Sequence, residues 1–134
     1  MQKLVGSSCP FPVSPALLQM LNATLTRYPS SDSLILNYRD PGYSATTGGF
    51  HPVEIHIEDN AIQYITDFAY RGQGDFAELD KELDFDFAAG VFQQMGRCYP
   101  IADGRALFAA WQGNFCAYYE WGVFAVSTTV WGDA

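Results

Sequence analysis

Between Leu34 and Tyr70 apolar side chains recur at every second position on both sides of a polar, glycine-rich stretch, and that alternation commits the middle of the chain to half-buried β-strands. Leu34, Leu36 and Tyr38 alternate with Ile35, Asn37 and Arg39. Val53, Ile55 and Ile57 alternate with Glu54, His56 and Glu58, the cleanest such signature in the chain. Asp59-Asn60 reads as a two-residue hairpin turn. That turn predicts a register with Ile57 opposite Ile62, Ile55 opposite Tyr64 and Val53 opposite Thr66, all on the inner face. The third strand then runs through Phe68 and Tyr70 to a turn at Gly72-Gln-Gly-Asp75. A fourth, about 79 to 87, points Leu79, Leu83, Phe85 and Phe87 inward, with Lys81 as the one polar inner residue, and Glu82, Asp84 and Asp86 outward.

Helical spacing brackets this block. Ser14-Pro15 is an N-cap followed by proline at the first helical position, Leu17, Leu18, Leu21, Leu25 and Tyr28 form a stripe, and Pro29 ends it. From about 103 to 120 the period returns in Leu107, Phe108, Trp111, Phe115, Tyr118 and Tyr119, with Asp103 as the cap and Gly122 as a left-handed terminator. Gly113 inside this helix predicts close packing against a neighbour. Residues 88 to 100, with Gly90, Gly96 and Pro100, read as irregular apart from a short strand at 91 to 93, and 123 to 130 is a last strand. The expectation is an α+β fold of order α-β-β-β-β-α-β. Its sheet is mostly antiparallel, with four to five strands and both helices on one face. Residues 1–13 form an extended arm laid on the body through Phe11 and Val13, and 14–134 form a single α+β domain.

Composition sets what such a domain can do. Its 134 residues, 49% hydrophobic and 16% aromatic, carry enough apolar surface for one core. Fifteen acidic residues against seven basic ones give a net charge of −8, which opposes direct nucleic-acid binding, since a phosphate backbone is held by a basic patch. Cys9, Cys98 and Cys116 are odd in number and lack metal spacing, so they imply no disulfide framework and suit a reducing cytoplasm. The first residues hold no apolar run of signal-peptide length and no window suits a membrane span, so the expected location is cytoplasmic and no membrane partner is expected.

The stretch from Arg39 to Pro52 gathers Arg39, Asp40, Tyr43, Ser44, Thr46, Thr47 and His51 around Gly42, Gly48 and Gly49. Glycines allow close approach to the backbone, and hydroxyls, imidazole and guanidinium supply directed hydrogen bonds. Arg39, Asp40, Tyr43, Ser44 and His51 are therefore candidate ligand-binding residues, weighed against a hairpin connection that simply starts with an Asp-Pro-Gly turn. Ser44 or Ser7 with His51, oriented by Asp40 or Asp67, would make a hydrolase-like arrangement, and His51, His56, Asp67 and Glu54 a metal set. His56 between two glutamates on a wet face reads better as a surface pair. No catalytic residue, metal or cofactor is assigned.

Glu82, Asp84 and Asp86 form an acidic row, either a solvated face or a docking stripe for a basic partner. Trp121 and Trp131, at the ends of the last strand, are the candidate contacts for a protein partner or a homodimer, against the alternative that the aromatic residues of this third are core.

The segments Asn37-Tyr-Arg-Asp-Pro-Gly-Tyr-Ser, Gly48-Gly-Phe-His-Pro-Val-Glu-Ile, Tyr64-Ile-Thr-Asp-Phe, Leu83-Asp-Phe-Asp-Phe and Asn114-Phe-Cys-Ala-Tyr-Tyr-Glu-Trp-Gly-Val resemble those of a family of small bacterial proteins. This is the domain of unknown function 2787 (DUF2787), often carried on mobile elements. The resemblance spans about 14 to 130, and it implies no activity, ligand or catalytic residue. The residues themselves favour an acidic, non-enzymatic binding domain that offers the 39–52 loop and an acidic sheet face to a protein partner or small polar ligand. The alternatives are a small hydrolase-like or metal-dependent enzyme centred on His51, and an acidic mimic of nucleic acid that would need Glu54, Glu58, Glu82, Asp84 and Asp86 in a continuous array.

Overall fold

The structure, a computed structural model, describes residues 9–72 and 77–130. Its elements are α1 (Pro15–Leu25), β1 (Ser33–Arg39), β2 (Val53–Glu58), β3 (Ala61–Arg71), β4 (Glu78–Asp86), β5 (Val91–Gln94), β6 (Arg97–Pro100), a 3-10 turn (Ile101–Gly104), α2 (Arg105–Glu120) and β7 (Ala125–Val130). The strands form one antiparallel sheet in the order β6-β5-β4-β3-β2-β1-β7. The α+β class and antiparallel sheet follow the sequence reading, but the sheet has seven strands, where the alternation predicted four to five. The extra strands are β6 and a fully formed β5. They are four residues each and meet in a two-residue turn at Met95 and Gly96, whose φ values of 50° and 83° suit the tight hairpin class. Gly90 and Gly96 punctuate strands here and do not dissolve them.

β6 and β7 are the two edges of the sheet, so α2 must carry the chain from one side to the other. Its apolar stripe records that crossing. Phe108 meets Phe85 of β4, and Phe115 meets Tyr38 of β1 at 5.0 Å. Both helices and the inner strand rows share one continuous buried cluster, which includes Leu17, Leu21, Ile55, Ile65, Phe108 and Phe115. Phe11 is buried against Phe87 and Phe108. Buried Gln112 on α2 accepts the Ser14 N–H and donates to the Pro12 carbonyl, fixing the entry to α1, whose first turn is capped by the Ser14 hydroxyl.

Two irregularities in the ladder change the predicted faces. The Asp59-Asn60 turn forms with both φ values positive, and Ile57 does pair with Ile62. Gln63 is then an extra residue, so Ile55 pairs with Ile65 and not Tyr64, and Val53 with Asp67 and not Thr66. The bulge sends Tyr64 to the open face, where its hydroxyl donates to Glu54, and it turns Ile65 and Asp67 toward α2. A second bulge makes Glu82 the extra residue of β4, because Leu83 pairs with Asp67 and Lys81 with Phe68. Phase is therefore lost before Leu83. Lys81 reaches Asp84 on the open face and Leu79 is exposed, against the prediction that both point inward.

Asp103 lies in the 3-10 turn and does not cap α2, which starts after Gly104 with no side-chain cap. Gly113 faces open space. The close contact belongs instead to Gly104, where a Cβ would lie 2.9 Å from the Phe92 ring. Gly122 ends α2 with φ +77°, as its position predicts. Among the described residues no helix is long and apolar enough to cross a membrane.

Candidate functional site

The connection from β1 to β2 is organised by Asp40. Its two carboxylate oxygens accept the Gly42 N–H at 2.9 Å and the Phe50 N–H at 3.0 Å, tying the start of the loop to its end. These backbone donors, Phe50 first and then Gly42, hold the Asp40 pKa below the usual carboxylate value. Gly49, at φ +138°, is required here because a Cβ would sit 2.7 Å from that carboxylate. Ser44 and Thr47 bond each other at 2.7 Å and close the tip. The Tyr43 hydroxyl accepts the Tyr70 N–H, and the Pro52 carbonyl accepts the Phe68 N–H, so the loop is sewn to β3.

That stitching delivers His51 to the helix-covered face beside the two residues that the bulges redirected. His51 Nδ1 lies 2.9 Å from Asp67 Oδ1 and 2.9 Å from Glu82 Oε2. The other Asp67 oxygen accepts the Trp111 indole N–H at 3.0 Å. The Asp67 side chain is only 14% exposed, and burial raises its pKa above the ordinary value. The bonds from Trp111 and His51 oppose that rise and the Glu82 charge adds to it. The Tyr43 ring lies 5.6 Å from the imidazole and Tyr70 lies behind it.

Beside this cluster is a cleft of about 320 Å³ between the loop's return and α2. His51 and Asp67 form its polar end, with Asn114 on the helix side. Phe50, Trp111, Phe115, Tyr118 and Phe124 supply an aromatic wall. Trp121, 67% exposed, stands next to Phe50 and Tyr118.

The candidates named from the sequence thus separate. His51 lines the cleft and the Tyr43 ring packs beside its imidazole, whereas Asp40 and Ser44 spend their hydrogen bonds within the loop. Arg39 is exposed at the end of β1, outside the cluster. The acidic row Glu82, Asp84 and Asp86 does not exist as a stripe. The bulge turns Glu82 to His51; Asp84 is buried, accepting from the Thr66 hydroxyl at 2.8 Å with Lys81 at 3.5 Å; and Asp86 accepts the Ala89 N–H in the next turn. His56 bonds Ser33 and lies 3.9 Å from Glu58, and Glu54 is tied to Tyr64, so neither joins His51. Ser7 and Trp131 lie outside the described residues. Sequence reasoning left Trp111 and Tyr118 to the core and Asp67 to a supporting role. The signal for Asp67 was present: Tyr64 and Ile65 are adjacent large apolar residues, which breaks strict alternation and brings Asp67 into the inner phase.

With this geometry in hand, the DUF2787 profile, described as a protein of unknown function, matches residues 14–129. The chain belongs to the DUF2787 family. Two solved structures are similar to this DUF2787 chain, both of hypothetical proteins from Vibrio cholerae. VC0508, from the VSP-II pathogenicity island, is 38% identical with a TM-score of 0.80, the match covering 92% of this chain and 98% of that one. VC1805, from island VPI-2 of the O1 biovar eltor strain, is 37% identical with a TM-score of 0.81, over 94% of this chain and 100% of its own. VC1805 is described as sharing structural homology with the human P32 protein. No curated protein matches the chain.

Proposed function

We propose that this DUF2787 protein is a non-enzymatic binding domain that takes a small polar ligand, or a short segment of a protein partner, into the cleft between the 49–53 return and α2. One observation carries the reading: a preformed concavity joins an aromatic wall to a few convergent polar groups, the usual build of a ligand site. The wall supplies contact area, and His51, Asp67 and Asn114 fix orientation. Binding is favoured over hydrolysis because the hydroxyls closest in sequence to His51 are engaged elsewhere: Ser44 with Thr47, and Tyr43 with the Tyr70 N–H. The open sheet face is a poorer candidate, since Glu82 has left it and Asp84 is buried and paired.

The test is a fragment screen followed by amide and indole NMR of the labelled chain. Fragments with an aromatic ring and a polar head are expected to shift the Trp111 indole and Asn114 resonances together. The Trp111 indole shift is expected to vanish in Asn114→Trp, which fills the cleft from the helix side. Shifts scattered over the surface, or unchanged in the filled variant, would remove this site from consideration.

A further inference from the structure

We propose that His51, Asp67 and Glu82 form a site for a divalent transition-metal ion, Zn²⁺ or Mn²⁺, at the polar end of the cleft. The inference rests on the binding reading above and names the chemistry of the anchor.

Three ligating atoms, one imidazole nitrogen and two carboxylate oxygens, lie within 4.8 Å of one another. Both oxygens are 2.9 Å from the same nitrogen, yet Nδ1 can carry a single proton, and only the Asp67 contact has hydrogen-bond geometry. Glu82 Oε2 thus lies at contact distance from the same nitrogen without a hydrogen bond to it. Two carboxylates converging on one ring nitrogen present two negative charges, which a divalent ion balances and one proton does not.

The surroundings resemble a metal site's supporting shell. The Trp111 indole holds the Asp67 oxygen that points away from the cluster, so the remaining oxygen is fixed toward His51. Glu82 is there because β4 carries an extra residue, and bulges commonly re-aim a side chain in this way. One nitrogen and two oxygen donors suit Zn²⁺ or Mn²⁺. The imidazole disfavours Mg²⁺ and Ca²⁺, and the absence of thiolate or thioether among these three donors disfavours Cu⁺. Three protein donors leave coordination positions for an exogenous group. The ligand class for the cleft is therefore an aromatic or apolar body carrying an oxygen donor, such as a carboxylate, that completes the metal's shell.

Calorimetric titration of the chelator-stripped full chain with ZnCl₂, MnCl₂ and MgCl₂ tests this, with the Trp111 indole resonance followed during the zinc titration. One zinc ion per chain is expected, with magnesium at least about tenfold weaker. The indole signal is expected to move in step with the first equivalent. Glu82→Gln is expected to weaken zinc by about tenfold or more, and Glu82→Lys, which brings its own cation, to abolish it. His56→Ala is expected to leave it unchanged. Absence of saturable binding, equal affinity in Glu82→Gln, or a silent indole would overturn the proposal. Repeating the fragment screen with chelator separates the two ideas. Fragments that still enter a cleft unable to bind zinc leave the binding domain standing without its metal; zinc bound at the cluster with no fragment entering does the reverse.

Discussion

Asp67 is the residue on which the site turns, because it is a largely buried acid whose two oxygens are assigned to different partners, Trp111 and His51. Burial favours its protonated form, and the indole N–H is one of the bonds that offsets this. Trp111→Phe keeps the ring in the core and removes that donor, so a largely buried carboxylate loses a charge-assisted bond. Urea unfolding at neutral pH is expected to show a loss of about 1.5–3 kcal/mol. Asp40 works the other way. Its folded pKa is depressed by backbone donors, so the clamp on Phe50 is present above the ordinary carboxylate pKa and is lost as pH falls through the depressed value. Exchange of the Phe50 amide proton, corrected for intrinsic rate, is expected to stay slow through pH 5 and to quicken only at pH values below the usual carboxylate range of about 4.

At the scale of elements, α1, β1, β2 and the Asp59-Asn60 turn were legible in the sequence because each obeys one period and carries its own punctuation. β6 was not, and β5 showed only as a short strand at 91 to 93, since four residues are too few to establish alternation and their turn glycines resemble breakers. The two bulges were missed for a deeper reason. A bulge inserts one residue, so a strict two-residue period carried across it assigns the side chains on one side of it to the wrong face, those after Gln63 in β3 and those before Leu83 in β4. That is why Asp67 enters the sequence reading only as one member of a metal set or as an orienter of His51, and Glu82 only in an acidic row on the opposite face, while His51 is marked by a conspicuous loop. Gly113 and Gly104 show the same limit for helices, as only coordinates reveal which glycine faces a neighbour. Gly104→Ala is expected to destabilise the chain by about 1–3 kcal/mol through the Phe92 ring. Gly113→Ala, in open space on a helix, is expected to stabilise it by up to about 1 kcal/mol. Paired thermal melts check both signs.

For the whole molecule, one connection determines where function can reside. β6 and β7 occupy opposite edges, so α2 must traverse the sheet, and its end crosses the region where the 39–52 loop returns over β2 and β3. The cleft is the gap between those two crossings. The similar Vibrio cholerae structures match across nearly the entire length of both chains, so this architecture is a property of the fold and not of one terminus. The fold and the proposed site meet at a single point, where the loop, the β3 bulge and the β4 bulge come together. A crystal grown with Mn²⁺ or Zn²⁺ and measured at wavelengths that reveal the metal tests that point directly. The expected result is one anomalous peak bonded to His51 Nδ1, Asp67 and Glu82, about 2.0–2.2 Å from each if the ion is zinc. A peak at His56 and Glu58 or at Cys98, or electron density in which Glu82 lies on the open face with Asp84, would contradict it.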